Sequence, residues 1–218
     1  MARPILLAAA CVLAIASAAH ADLLARVTVI TTDLGGTPIS TIDVGEDFLL
    51  QVFVQDIRNP PAVAGGIAAG YLNVDYDGVL VSISPSAPIE YDPFFTAWQT
   101  GNLDEPGRIV GAGAYSISFE APGTALQALF SIPATATAPG GVAFTPSFFE
   151  AEDGRNVLLF VYDSPLLESE IDFVGATLSI VPEPSGIVAG TCGVLALAVC
   201  CLRRQKRSAM HDRGREPV

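Results

Sequence analysis

Hydrophobic and polar positions alternate along much of this chain. In "DFLLQVFVQDI", Phe48, Leu50, Val52 and Val54 fall on one side, with Gln51 and Gln55 on the other. "ALQALFSIP" sets Leu126, Ala128, Phe130 and Ile132 against Gln127, Leu129 and Ser131. "IDFVGATLSIV" sets Val174, Ala176, Leu178 and Ile180 against Gly175, Thr177 and Ser179. Successive side chains of a strand point to opposite faces, so a period of two predicts half-buried strands. The same reading predicts strands over residues 26–32, 67–76, 79–84, 108–118, 142–149 and 157–162, with Gly, Pro, Asp and Asn between them. In the strand over 67–76, Leu72, Val74 and Tyr76 are expected inward, with Asn73, Asp75 and Asp77 on the wet side. Pro146 lacks an N–H for a ladder and marks its strand as an edge or a bulge. About nine short strands without a helical stripe predict an all-β fold, an antiparallel β-sandwich of jelly-roll or immunoglobulin-like type.

The two ends break this pattern. "MARPILLAAACVLAIASAAHA" has Arg3, an apolar stretch over residues 5–16, and Ala19-His20-Ala21 as a small-x-small site. It reads as a secretory signal helix, residues 1–21, cleaved after Ala21. Near the other end, residues 186–202 contain no charged side chain, at a length close to the lower limit for a membrane-spanning helix. Arg203, Arg204, Lys206 and Arg207 follow, and such a cluster stays on the cytoplasmic side. The expected organisation is a signal peptide (1–21), an exported β-sandwich domain (22–181), a sorting segment (182–207, span 186–202) and a cytoplasmic tail (208–218).

Charge and composition narrow the chemistry of the exported part. The chain carries a formal net charge of −12. Residues 22–181 are more acidic still, because Arg26, Arg58, Arg108 and Arg155 are their only basic side chains. Such a field disfavours nucleic acid and anionic surfaces as partners. Cys11, Cys192, Cys200 and Cys201 all lie in the terminal segments, so the exported domain has neither a disulfide framework nor thiol chemistry. His20 and His211 are terminal as well, which excludes Ser-His-Asp and Cys-His machinery and histidine-based zinc sites from the domain. A glycosidase needs only two carboxylates across a cleft, but nothing in the sequence singles out a pair. The domain therefore reads as non-catalytic and without a cofactor.

The order of the strand blocks carries a resemblance. "VGEDFLLQVFVQDI", "GYLNVDYDGVLVSIS", "GRIVGAGAYS", "GTALQALFSIPATATAPGGVAFTP" and "IDFVGATLSIV", in that sequence, resemble a cohesin domain. The resemblance implies a nine-stranded jelly-roll sandwich related to carbohydrate-binding modules. It also implies a binding function, with dockerin-type modules as one partner class and an extracellular polysaccharide as the alternative. The paired calcium loops of a dockerin are absent here, so such a partner would be another chain. The C-terminal segment resembles a second family, the PEP-CTERM sorting signal. Pro182, Glu183 and Pro184 stand at its motif, residues 186–202 at its span, and Arg203, Arg204, Lys206 and Arg207 at its basic cluster. That resemblance implies processing by a membrane-embedded exosortase and delivery to the cell surface or an extracellular matrix.

Two groups of residues are candidates for sites. "NVDYDG" places Asn73, Asp75 and Asp77 at the spacing of the first ligands of a calcium loop, but the closing Glu of an EF-hand is replaced by Ser84. Glu152 and Asp153 in "EAEDG" are a second candidate for a weak calcium site. The other group is "EYDPFFTAWQTGN". There Tyr91 and Trp98 could stack on sugar rings, with Gln99 and Asn102 addressing hydroxyls. The favoured reading of the same stretch is a plug, with Phe94, Phe95 and Trp98 closing one end of the sandwich, because large rings usually bury.

Overall fold

The computed structural model describes residues 22–59, 65–118, 121–149, 156–160 and 164–183. The residues expected to form a signal helix (1–21) and a membrane span (186–202), with Pro184, Arg203, Arg204, Lys206, Arg207, Glu152 and Asp153, lie outside them. Among the described residues no helix is long and apolar enough to cross a membrane.

The strands are β1 (Ala25–Thr32), β2 (Thr41–Asp43), β3 (Asp47–Asp56), β4 (Ile67–Asp75), β5 (Val81–Ser82), β6 (Glu90–Tyr91) and β7 (Ala97–Asn102). They continue as β8 (Arg108–Tyr115), β9 (Gln127–Ala136), β10 (Gly140–Phe148), β11 (Leu158–Leu159), β12 (Ile171–Val174) and β13 (Ala176–Val181). They form a two-sheet sandwich. One sheet runs β12-β1-β3-β9-β5, with β6 also on β9; the other runs β2-β13-β10-β4-β8-β7, with β11 on β4. Most neighbours are antiparallel, as expected. The pairs β1 with β12 and β2 with β13 are parallel, which corrects the expectation of a purely antiparallel sandwich. Both parallel partners are short strands at sheet edges, where a long crossover can return the chain in the same direction.

The core follows from the alternation. Phe48, Leu50, Val52 and Val54 of β3 are fully buried and meet Leu72 and Val74 of β4, Ile132 of β9, Phe144 of β10, and Leu178 and Ile180 of β13. Two departures show how pairing overrides a simple period. In β9 the partner of Val52 is Phe130 while that of Phe53 is Ala128, so Leu129 is an extra residue in a bulge. The bulge turns Leu129 into the core and leaves Leu126 exposed, the reverse of their expected sides. Gly70 makes room for it, since a Cβ there would stand 3.0 Å from the Leu129 side chain.

The second departure is Val174, which is exposed although Leu178 and Ile180 are inward. Gly175 separates β12, in the first sheet, from β13, in the second, so the alternation does not carry across it. Pro146 fits its expected place. Phe144 is the last β10 residue paired with β13, so Pro146 has β4 alone as a ladder partner and is locally an edge.

Strand β4 differs most from its pattern, for it is buried on both faces from Ile67 to Val74. Asn73 was expected in water with Asp75 and Asp77, and it is 5% exposed. The cause is a bulge in β8, where the pairing shifts between Leu72 with Ala112 and Val74 with Ile109. The amide of Asn73 fills the gap: its Nδ2 donates to the Phe148 carbonyl at 3.0 Å, and its Oδ1 accepts from the Gly111 N–H at 3.0 Å. Gly111 itself is in the left-handed region (φ 58°), with the Phe149 ring where a Cβ would project.

Candidate functional site

Strand β7 ends the second sheet and is exposed at every position from Trp98 to Asn102. The chain reaches it from the first sheet through a tight turn. Asp92 accepts from the Phe94 N–H through its side chain (2.9 Å) and from the Phe95 N–H through its carbonyl (2.8 Å). That turn drops Phe95 fully into the core, with Phe94 edge-on to it at 5.2 Å and also beside Phe160. Phe94 and Phe95 thus pack inward, but Trp98 does not join them.

Trp98 is 67% exposed, which overturns its expected burial. The pairing of β7 with β8 slips between Ala97 and Thr100 and again between Thr100 and Asn102, so side chains do not alternate regularly there. At the first slip Trp98 adopts a left-handed backbone (φ 48°), the one non-glycine residue with positive φ among those described. That conformation is costly for a residue with a Cβ. Two tyrosines fix it. The Tyr71 hydroxyl donates to the Trp98 carbonyl at 3.0 Å, and the Tyr115 ring lies against the indole with centroids 5.1 Å apart and planes tilted by 36°. Tyr115 was not singled out in the sequence. Its position opposite Ala97 depends on the slipped register, which no local pattern encodes.

The other expected ligand residues hold the strand in place. Tyr91 is half-buried and edge-on to Phe130 at 6.0 Å, and its hydroxyl donates to the Thr100 carbonyl at 2.5 Å. It thus links β6 of one sheet to β7 of the other, and burial pushes its phenol up to about 12. Gln99 donates through Nε2 to the Phe95 carbonyl at 2.8 Å, and Asn102 accepts the Asp104 N–H at 2.7 Å. Beyond Asn102 lies an open groove of about 270 Å³, walled by Pro85, Ala87, Ile89 and Leu103.

The calcium candidates do not converge. Asn73 is spent on the β8 bulge, Asp75 pairs with Arg108 at 3.2 Å, and Asp77 takes the Val79 N–H at 2.8 Å. Among the described residues no three acidic, histidine or cysteine side chains gather where they could hold a metal ion. Arg26 and Arg58 also lie against aspartates, Asp172 at 2.8 Å and Asp56 at 2.5 Å. The acidic surplus is thus left facing solvent. Of the residues expected to form a sorting motif, Pro182 and Glu183 are described, and the Glu183 carboxylate lies over the turn at Gly45.

Solved structures share this fold, two cohesin modules among them. A cohesin module from a family 33 glycoside hydrolase of Clostridium perfringens is 12% identical, covers 74% of this chain and 99% of its own, and superposes with a TM-score of 0.52. A type III cohesin module from the cellulosomal ScaE cell-surface anchoring scaffoldin of Ruminococcus flavefaciens is 10% identical, covers 73% and 89%, and gives 0.50. The fold is cohesin-like. At such identities the likeness is one of fold, and it says nothing about individual side chains. No protein-family model matches the chain, and no curated protein does either.

Proposed function

We propose that this chain is an exported, non-catalytic binding or adhesion module, brought to the cell surface or an extracellular matrix by its C-terminal sorting segment. The observation that carries the reading is Trp98. A large ring kept in water on an unfavourable backbone, and braced by two tyrosines, adds little to stability and is typical of contact residues. The cohesin-like fold supports binding rather than chemistry, and the resemblance of the strand blocks to a cohesin domain makes the expected partner a dockerin-type module on another chain or an extracellular polysaccharide. Anchoring through residues 186–202 until an exosortase-type enzyme acts near Pro182-Glu183-Pro184 accounts for the two unusual ends of the sequence.

The test uses the full chain expressed in its producing cell with a C-terminal epitope and a second epitope after Ala21. Loss of the C-terminal epitope from the mature product, with the domain open to protease added outside, is the expected result. A domain protected from external protease would overturn the export reading. Capture from the cell's envelope fraction should then yield a macromolecular partner, and a module that retains neither protein nor polysaccharide would overturn the binding reading.

A further inference from the structure

We infer that the outer edge of β7 is a binding site for a neutral, linear polysaccharide, with Trp98 and Tyr115 as the stacking platform and the polar backbone and amides of residues 99–102 as the track. This rests on the binding-module reading and names the ligand class. Three observations favour it. The first is the platform: an indole 67% exposed, backed by a tilted phenol ring at 5.1 Å, offers a planar apolar surface of the kind that meets the C–H face of a pyranose. The second is what continues from it. Gln99, Thr100 and Asn102 are exposed, uncharged and polar, the exposed Gly101 between them has the Ile89 side chain where a Cβ would project, and they lead to the groove of about 270 Å³ lined by Pro85, Ala87, Leu103 and Asp104. A protein contact of high affinity would want an apolar centre around the indole rather than a run of polar positions.

The third observation is charge. Glu90, Asp92, Asp104 and Glu105 flank β7 in the chain, and each described arginine already lies against an aspartate. A polyanion would be repelled, whereas an uncharged glycan loses nothing to this field. The site is also held ready: the bond from Tyr71 to the Trp98 carbonyl and that from Tyr91 to the Thr100 carbonyl fix β7 before any ligand arrives, which lowers the ordering cost of binding.

The sequence contains a single tryptophan, so fluorescence of the full chain reports this site alone. Titration with a soluble neutral β-glucan and with galactomannan, beside alginate as the polyanion, is the experiment. A saturable blue shift with at least one neutral polymer and none with alginate is expected. Retardation in gels containing that polymer should fall at least tenfold in Trp98→Ala and in Tyr115→Ala, both with circular dichroism of the parent. An unchanged spectrum across neutral glycans would overturn the inference, as would full retardation of Trp98→Ala. If the module captures a protein from the envelope while the indole ignores every glycan, the binding reading stands and the polysaccharide site falls.

Discussion

The phenol of Tyr71, which is 2% exposed, donates a hydrogen bond of 3.0 Å to the carbonyl of Trp98, which is 67% exposed. A core side chain thus sets the position of a surface one. Removing the hydroxyl in Tyr71→Phe keeps the buried ring, so the loss should be close to one net hydrogen bond, about 1 kcal/mol. The indole should also move more freely once its carbonyl is released. Urea unfolding and tryptophan anisotropy measure the two effects separately. A variant of unchanged anisotropy would show that Tyr115 alone holds Trp98.

Asn73 and Asp75 stand two apart on β4 and should respond to mutation in opposite ways. Asn73→Ala strands the Phe148 carbonyl and the Gly111 N–H inside the sheet, and each unsatisfied group costs about 1–3 kcal/mol. Asp75→Asn alters an exposed pair with Arg108 and should stay within about 0.5 kcal/mol. Melting temperatures in calcium and in magnesium should match, because Asn73, Asp75 and Asp77 each meet a different partner. A calcium-selective rise that disappears in Asp75→Asn would revive the metal site.

Acid should act through Asp56. Its carboxylate binds Arg58 and the Gly66 N–H at 2.7 Å, closing the segment that joins β3 to β4. Burial alone would raise its pKa, but the hydrogen bonds from Arg58 and Gly66 outweigh it and hold the carboxyl below the usual aspartate range. A depressed folded pKa means that this contribution is fully present above the unfolded value of about 3.9 and is lost as pH falls through the lower folded one. Asp56→Ala should therefore be less stable by about 3 kcal/mol near neutrality, as for breaking a buried pair. The gap between parent and variant should narrow as pH falls below the usual aspartate range, which a series of thermal melts across pH would reveal. A gap that widens in acid would mean that the pair is not what holds this segment.

Strands with one dry and one wet face were legible in the sequence, because burial imposes the period: Phe48, Leu50, Val52 and Val54 are the clearest case. What escaped depends on a partner strand far along the chain. Leu129 turns inward only because β9 bulges against β3, and Asn73 is buried only because β8 bulges against β4. Trp98 is the same lesson at the candidate site. Its neighbours Phe94 and Phe95 pack as large rings usually do, while two slips in the β7–β8 ladder send the indole to solvent. The aromatic stretch was visible as a candidate; which of its rings would face water was not, and Tyr115 entered only through the pairing.

Those slips leave a signature in stability. Trp98 at φ 48° pays for a backbone that suits glycine, and most of the contact it gains in return is the single ring of Tyr115. Trp98→Ala loses that contact but keeps the strain, so it should be destabilised by about 1 kcal/mol, the worth of one aromatic pair. This is far less than the roughly 3–5 kcal/mol that deleting a buried ring costs. Trp98→Gly loses the same contact and also relieves the backbone, so it should be more stable than the alanine variant by about 1 kcal/mol, although glycine gains more entropy on unfolding. The order glycine above alanine, read from denaturant midpoints of the two variants, is diagnostic. The reverse order would mean that β7 relaxes to an ordinary extended backbone once the indole is gone. In that case the indole's contacts impose the left-handed turn, and β7 does not present Trp98 through a conformation of its own.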